Sequence, residues 1–300
     1  MNDKQKTKAF NAERKKQQQQ DVAIQKNTYG DIIRLLKIAE KDINTSLSNA
    51  PTDYETWYLP QLQNSVKSSL EEFSAMAAKQ SQSGADKSFA AGQQLIDAPL
   101  NAAQPGIVSQ LGQIDNKQLL AMKSFMTDRI KDIGTQLTNK INTQLGLTVI
   151  GAQTPYDARQ TIAKLFDTQG EKRALAIVRT ELGRVYSTAA QQRAEQAHDI
   201  LPGLKKQWRR SGKLHSRVNH DAADGQIQEV KEPFKIGRTK MMYPKDPKAP
   251  VKEVIHCGCQ SIPYMEHWDM KNPGRKPFTQ TEIDGDYNKR LLSGIGAPEN

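Results

Sequence analysis

Apolar residues recur at steps of three and four through the first half of the chain. Ile32, Leu36, Ala39, Ile43 and Leu47 form one such stripe, and Leu62, Val66, Leu70, Phe73 and Ala77 form a second. A third follows Asn116 and runs through Leu119, Met122, Met126, Ile130, Ile133, Leu137 and Ile141. That spacing places each set on one face of a helix, with the remaining positions polar. Met122 and Met126 read as core fillers rather than as a cofactor box. Pro51 ends the first helix. The stretch Ser81–Ser88 reads as a linker by composition, with a short helix from Phe89 to Ile96 broken by Pro99 and the Pro105-Gly106 turn.

Thr154 and Pro155 predict a capped helix start, with the helix running to Phe166. A further helix is expected from Glu171, with Leu175, Val178, Leu182, Val185 and Ala189 as its buried stripe and Pro202-Gly203 as its stop. Glu181 and Arg184, three apart, share one surface of it. Beyond Gly203 the period shortens. Residues 206–209, 226–230, 252–255 and 260–264 read as short strands. The expected fold is therefore α+β: a mainly helical N-terminal half, then a small α+β domain with short antiparallel strands and an extended tail. In linear terms, residues 1–28 are a charged, Gln-rich arm, frayed or disordered. Residues 29–150 are a helical scaffold or partner-docking region. Residues 151–265 form the α+β domain, and residues 266–300 a Gly-, Pro- and Asp-rich tail.

Composition narrows this. The 300 residues are 36% hydrophobic and 6% aromatic, so the helices carry thin stripes and wide polar faces. No run is apolar enough to span a bilayer, and the first residues show no apolar segment of the kind a secretory signal needs. Synthesis in the cytoplasm is the default expectation. The net charge is +10, and residues 201–255 hold 13 basic against 6 acidic side chains, a local surplus of seven. Lys205, Lys206, Arg209, Arg210 and Lys213 are its densest part and the candidates for non-specific phosphate contact. The plainer alternative is a solvated basic face.

Candidate chemistry is confined to the same stretch. Cys257 and Cys259 are one residue apart, too few for a disulfide framework. On a strand both sulfurs would face one side, toward His220, and such a donor set suits zinc. The preferred reading is that they are small buried residues, with metal binding as the alternative. Asp224-Gly225 is a turn signal, and Pro244 with Asp246-Pro247 holds a loop extended. Val218-Asn219-His220-Asp221, followed by a cysteine-bearing strand, resembles the ββα-metal nuclease site. The helix that should carry that site's second His does not follow Cys259, where Pro263 and Pro273 stand instead. There is no P-loop and no dinucleotide fingerprint.

Taken in order, these residues resemble the phage Mu protein F-like head-morphogenesis family, the minor head proteins of tailed phages. The matching pieces are Arg179-Thr180-Glu181 with Arg184, Lys206-x-Trp208, Arg217-x-x-His220 and Asp224-Gly225-Gln226. Phe234, Gly237, Pro244-x-Asp246-Pro247 and Glu253 through Cys259 complete the set. The family usually has Asn-Cys-Arg-Cys where this chain has His256-Cys257-Gly258-Cys259. The resemblance implies a low-copy virion component at the portal vertex. Its partners would be portal, capsid or scaffolding proteins, with packaged double-stranded DNA contacted non-specifically. It implies no catalytic residue and no cofactor. The alternative is a virion-carried, metal-dependent nuclease using His220 and the cysteines.

Overall fold

In the computed structural model, residues 1–51, 56–213, 216–266 and 278–285 are described. Five helices come first: α1 (Asp3–Ser48), α2 (Leu59–Ala103), α3 (Lys117–Val149), α4 (Pro155–Leu165) and α5 (Lys172–Ile200). Then follow β1 (Leu204–Arg209), α6 (Val218–Ala222), β2 (Ile227–Glu229), β3 (Phe234–Ile236), β4 (Thr239–Met241), α7 (Val251–Val254), β5 (Gln260–Met265) and α8 (Gln280–Gly285). The α+β class expected from the sequence holds. Among the described residues no helix is long and apolar enough to cross a membrane.

The chain divides into two units, each assembled from separate stretches. Unit 1 is Met1–Ile24, Asp86–Leu119 and Arg179–Asn300, and unit 2 is Gln25–Ala85 and Leu120–Val178. The sequence suggested a linear boundary at 150, but these long helices each contribute to both units.

Unit 2 is built on the three predicted stripes. Ile32, Leu36, Ile43, Val66, Ile130, Ile133, Leu137 and Ile141 are all 0% exposed. Met126 is buried, whereas Met122 is only half-buried. Thr154 caps α4 as expected, its hydroxyl accepting from the Asp157 N–H at 3.1 Å. A single π-helical turn, Phe166–Glu171, joins α4 to α5. Gly170 in that turn is needed for packing, since a Cβ there would lie 2.7 Å from Leu36 Cδ2.

Two expectations about the helices change. Residues 3–28 are helical, the first part of α1. The supposed linker at 81–88 lies inside an uninterrupted α2 that also contains Pro99. Ser81, Ala85 and Ser88 are each 0% exposed, so small residues at helical spacing continue the buried face where hydropathy sees only polar composition. Gly92 serves the same end in unit 1, where a Cβ would lie 2.3 Å from the Tyr186 carbonyl oxygen.

In unit 1 the sheet order is β2-β1-β5, with both pairings antiparallel and β1 in the centre. Trp208 pairs with Ser261 and Lys205 with Tyr264. A separate hairpin, β3–β4, turns through Gly237 at φ 59°. Its strands are too short for an alternating pattern, and the sequence reading missed them. The strand expected at 252–255 is instead the helical turn α7, which Pro250 introduces. Of the tail, residues 266 and 278–285 are described, and the latter hold α8. Its start is a capping box, in which the Thr279 N–H donates to Glu282 Oε2 at 2.9 Å and the Glu282 N–H donates to Thr279 Oγ1 at 3.3 Å. The rest of the expected extended tail, Pro273 included, lies outside the described residues.

Candidate functional site

The site forms where β1, α6, α7 and the cysteine loop meet. Trp208 on β1 is 0% exposed and sets its ring edge-on to two others, His220 at 5.6 Å and Phe234 at 5.3 Å between centroids. His220 on α6 is thereby held from one side. Its Nε2 lies 2.9 Å from Glu253 Oε2 on α7, and the Asn219 side-chain amide donates to the same oxygen at 3.1 Å. Its Nδ1 lies 3.5 Å from Cys257 Sγ and 3.6 Å from Cys259 Sγ.

The loop carrying the sulfurs is fixed through its backbone. Arg217 donates to the Ile255 carbonyl at 2.6 Å, and Lys213 Nζ donates to the His256 carbonyl at 2.5 Å. The His256 N–H donates to Thr180 Oγ1 on α5 at 3.4 Å. His256 sits at φ 57°, a left-handed conformation that asparagine and histidine adopt more readily than most residues. Gly258 is required by space, since a Cβ would lie 2.8 Å from Ser211 Cβ and 2.9 Å from Lys213 Cε. The two sulfurs thus face His220 as the sequence suggested, but through this irregular turn and not through strand alternation. A cavity of about 300 Å³ opens over them, lined by Ser211, Lys213, Ser216, Arg217, His256 and the three donor residues.

The electrostatics follow from burial and from these contacts. Burial lowers the His220 pKa, but hydrogen bonding to Cys257 and Glu253 outweighs it and the net shift is upward. The Cys257 thiol is brought well below its usual range, chiefly by the hydrogen bond from Cys259 and also by His220, against the effect of burial. Cys259 is pushed up by its bond to Cys257 and by burial. Burial would raise the Glu253 pKa, but Asn219 and His220 bring it down. Both ring nitrogens of His220 are thus engaged, Nε2 by Glu253 and Nδ1 by the two sulfurs.

The remaining motif residues serve the frame. Glu181 and Arg184 pair at 2.5 Å, and Arg184 Nε donates to the Lys245 carbonyl at 3.3 Å. Lys245, at φ 68°, lays its side chain over Gly183, where a Cβ would be 1.8 Å from Nζ. Between Pro244 and Pro247, Asp246 accepts from the Met242 and Lys248 N–H groups, each at 2.9 Å. Asp224 accepts the Arg210 N–H at 2.8 Å, and Gly225 takes φ 83° beside it. Arg179 is exposed. Glu253, Asn219 and Thr180 stood in the motif pieces without an assigned role; the fold brings them to the site.

The proposed phosphate contacts at 205–213 need correction. Lys206 is 2% exposed, donating to the Met242 carbonyl at 2.7 Å and to Gln191 at 3.2 Å. Arg210 is 3% exposed, with Glu282 at 2.6 Å and the Phe278 ring at 4.1 Å. Lys205 pairs with Glu229 and Glu266, Arg209 with Asp224, and Lys213 with the His256 carbonyl. Lys206 and Arg210 are buried, while Lys205, Arg209 and Lys213 are half-buried and paired. Exposed cations of residues 201–255 include Lys235, Arg238 and Lys240 on the β3–β4 hairpin, besides Lys231, Lys248 and Lys252.

A sheet and hairpin packed beside a long helix, with a His–Cys–Cys cluster between the crossing loops, define a small α+β module. Residues 139–262 match the family described as Phage Mu protein F like protein. The match begins within α3, upstream of the domain boundary expected from sequence. The NAD(+)--arginine ADP-ribosyltransferase EFV of Enterococcus faecalis is 33% identical over 91 residues, 30% of this chain and 18% of that protein. The uncharacterized protein YqbB of Bacillus subtilis is 37% identical over 83 residues, 26% of each chain. The chain thus spans about a quarter or less of the curated relatives it matches. No solved structure matches.

Proposed function

We propose that this protein is a structural component of a phage head, acting in head assembly at the portal vertex and touching packaged DNA without reading its sequence. The family match over residues 139–262 carries the reading. The implied location is the virion, and the implied partners are portal, capsid or scaffolding proteins. The helices of unit 2, with polar outer faces and single buried stripes, suit docking to such partners. The enzymatic name of the Enterococcus relative belongs to that protein, of which only 18% is aligned. The reading is tested by probing purified phage particles with antibody to this chain. Presence in mature heads at low copy is expected, and absence from heads and from their assembly intermediates overturns it.

The DNA contact is assigned to the hairpin. Lys235 and Lys240 are directly paired across β3–β4, and Arg238 stands at the turn between them. Like charges placed opposite each other destabilise a hairpin, and an anionic partner relieves that repulsion. Affinity for duplex DNA should fall steeply with salt. Replacing Lys235, Arg238 and Lys240 together by Gln should flatten the logarithmic salt slope by about three, close to one per lost phosphate contact. A filter-binding titration reads this, and an unchanged slope removes the hairpin from the interface.

A further inference from the structure

We infer that His220 Nδ1, Cys257 Sγ and Cys259 Sγ form a site for a thiophilic divalent metal, zinc above all, with Glu253 orienting the histidine. The argument is independent of the assembly reading. The three donor atoms lie within 4.8 Å of one another, and all three residues are buried. Their spacing fits such an ion. A tetrahedral zinc with Zn–S near 2.3 Å and Zn–N near 2.0–2.1 Å separates nitrogen from sulfur by about 3.6 Å. Nδ1 lies 3.5 and 3.6 Å from the two sulfurs.

The surroundings complete the case. A ligating histidine usually donates its other ring N–H to a carboxylate, which fixes tautomer and orientation. His220 Nε2 lies 2.9 Å from Glu253 Oε2, which leaves Nδ1 as the lone-pair side facing the sulfurs. Trp208 packs edge-on against the ring, with centroids 5.6 Å apart. The sulfurs reach one point because His256 takes a left-handed turn and Gly258 clears the space beside Lys213. Soft thiolate and imidazole donors select zinc over magnesium or calcium. Binding needs both sulfurs as thiolates and the imidazole neutral, so it displaces whatever protons these groups hold and leaves a bound ion of no net charge. The three donors leave the fourth tetrahedral position facing the cavity of about 300 Å³, whose rim carries Lys213 and Arg217. Solvent or an exchangeable anion fills that position. The metal ties α6 to the cysteine loop, two segments otherwise joined by side-chain hydrogen bonds.

The full-length chain, purified without chelator, should contain about one zinc per chain by elemental analysis. Titrating chelator-treated, reduced protein with Co²⁺ should give a near-ultraviolet thiolate-to-cobalt band with intense visible bands typical of tetrahedral cobalt. Glu253→Gln should keep the one-to-one stoichiometry while weakening Zn²⁺ binding about 10- to 100-fold. Cys257→Ser with Cys259→Ser should abolish the thiolate band. Because that variant risks misfolding, the rate of thiol alkylation in the unaltered chain is a second readout: Zn²⁺ should slow it and chelator restore it. Trace metal only, no thiolate band with both thiols reduced, or alkylation indifferent to Zn²⁺ would each overturn the assignment.

Discussion

The two units solve the problem of a thin hydrophobic supply in different ways. Among the described residues, unit 2 buries the polar side chains Thr28, Ser81, Thr127 and Thr148, all hydroxyls and none charged. Its ion pairs stay outside: Lys67–Glu71 is 63% and 68% exposed, and Arg173–Asp132 is 33% and 41% exposed. Unit 1 buries Asp97, Arg193, Lys206, Arg210, His220, Asp224, Asp246, Glu253 and Glu282, among others. Unit 2 is held by non-directional apolar stripes, which tolerate volume-conserving change. Unit 1 is held by charged and hydrogen-bonded groups that must meet at set distances. The contrast suits a division between an adaptable docking part and a module that has to keep one shape.

The largest expected effect tests this directly. Arg193 Nε donates to Asp97 Oδ1 at 2.5 Å, and the two side chains are 8% and 9% exposed. Asp97→Asn strips the compensating charge from a buried guanidinium, which costs about 3–5 kcal/mol. The low end applies because Arg193 keeps the Gly112 carbonyl at 2.7 Å and Gln196 at 3.0 Å. In unit 2, Asp132→Asn breaks the pair with Arg173 in solvent and should cost about 0–1 kcal/mol. Denaturant unfolding of the two variants side by side measures the difference. Equal losses would show that burial of charge does not separate the units.

The same contrast explains what the sequence disclosed. Apolar stripes are a local property, so the buried faces of the first three helices were legible from spacing alone, as was the Thr154 cap. The continuity of α2 was not, because Ser81, Gly84, Ala85 and Ser88 are small buried residues that no hydropathy pattern marks. In unit 1 the order of motif pieces revealed the family but not what each piece does. Lys206 and Arg210 read as a surface run, and only the placement of β1 between β2 and β5 turns them inward. His220 and the two cysteines were grouped correctly. Their convergence, however, depends on a left-handed His256 and on a carboxylate from α7, a segment read as strand.

A smaller effect sharpens the comparison by asking what one buried charge does to stability. Burial lowers the Lys206 pKa to about 8, although Glu195, Asp246 and Glu232 pull the other way. In the unfolded chain a lysine titrates near 10.4. Between those values the unfolded state binds more protons than the folded one, so raising the pH favours folding. Below about pH 8 the cost of burying the charge is present in full. It is relieved as pH rises through the window, by about 2–3 kcal/mol in all. Tyr186 and Tyr243, whose pKa values burial raises, work in the opposite sense at higher pH, so the unaltered protein shows only a net slope. Lys206→Met removes the lysine's share and leaves theirs. The difference in unfolding free energy between the two proteins, measured from pH 7 to pH 10.5, should therefore shift steadily in favour of the lysine form as pH rises. A difference that stays flat across that range would mean that Lys206 keeps its water, and that β1 does not carry the buried charge that distinguishes unit 1.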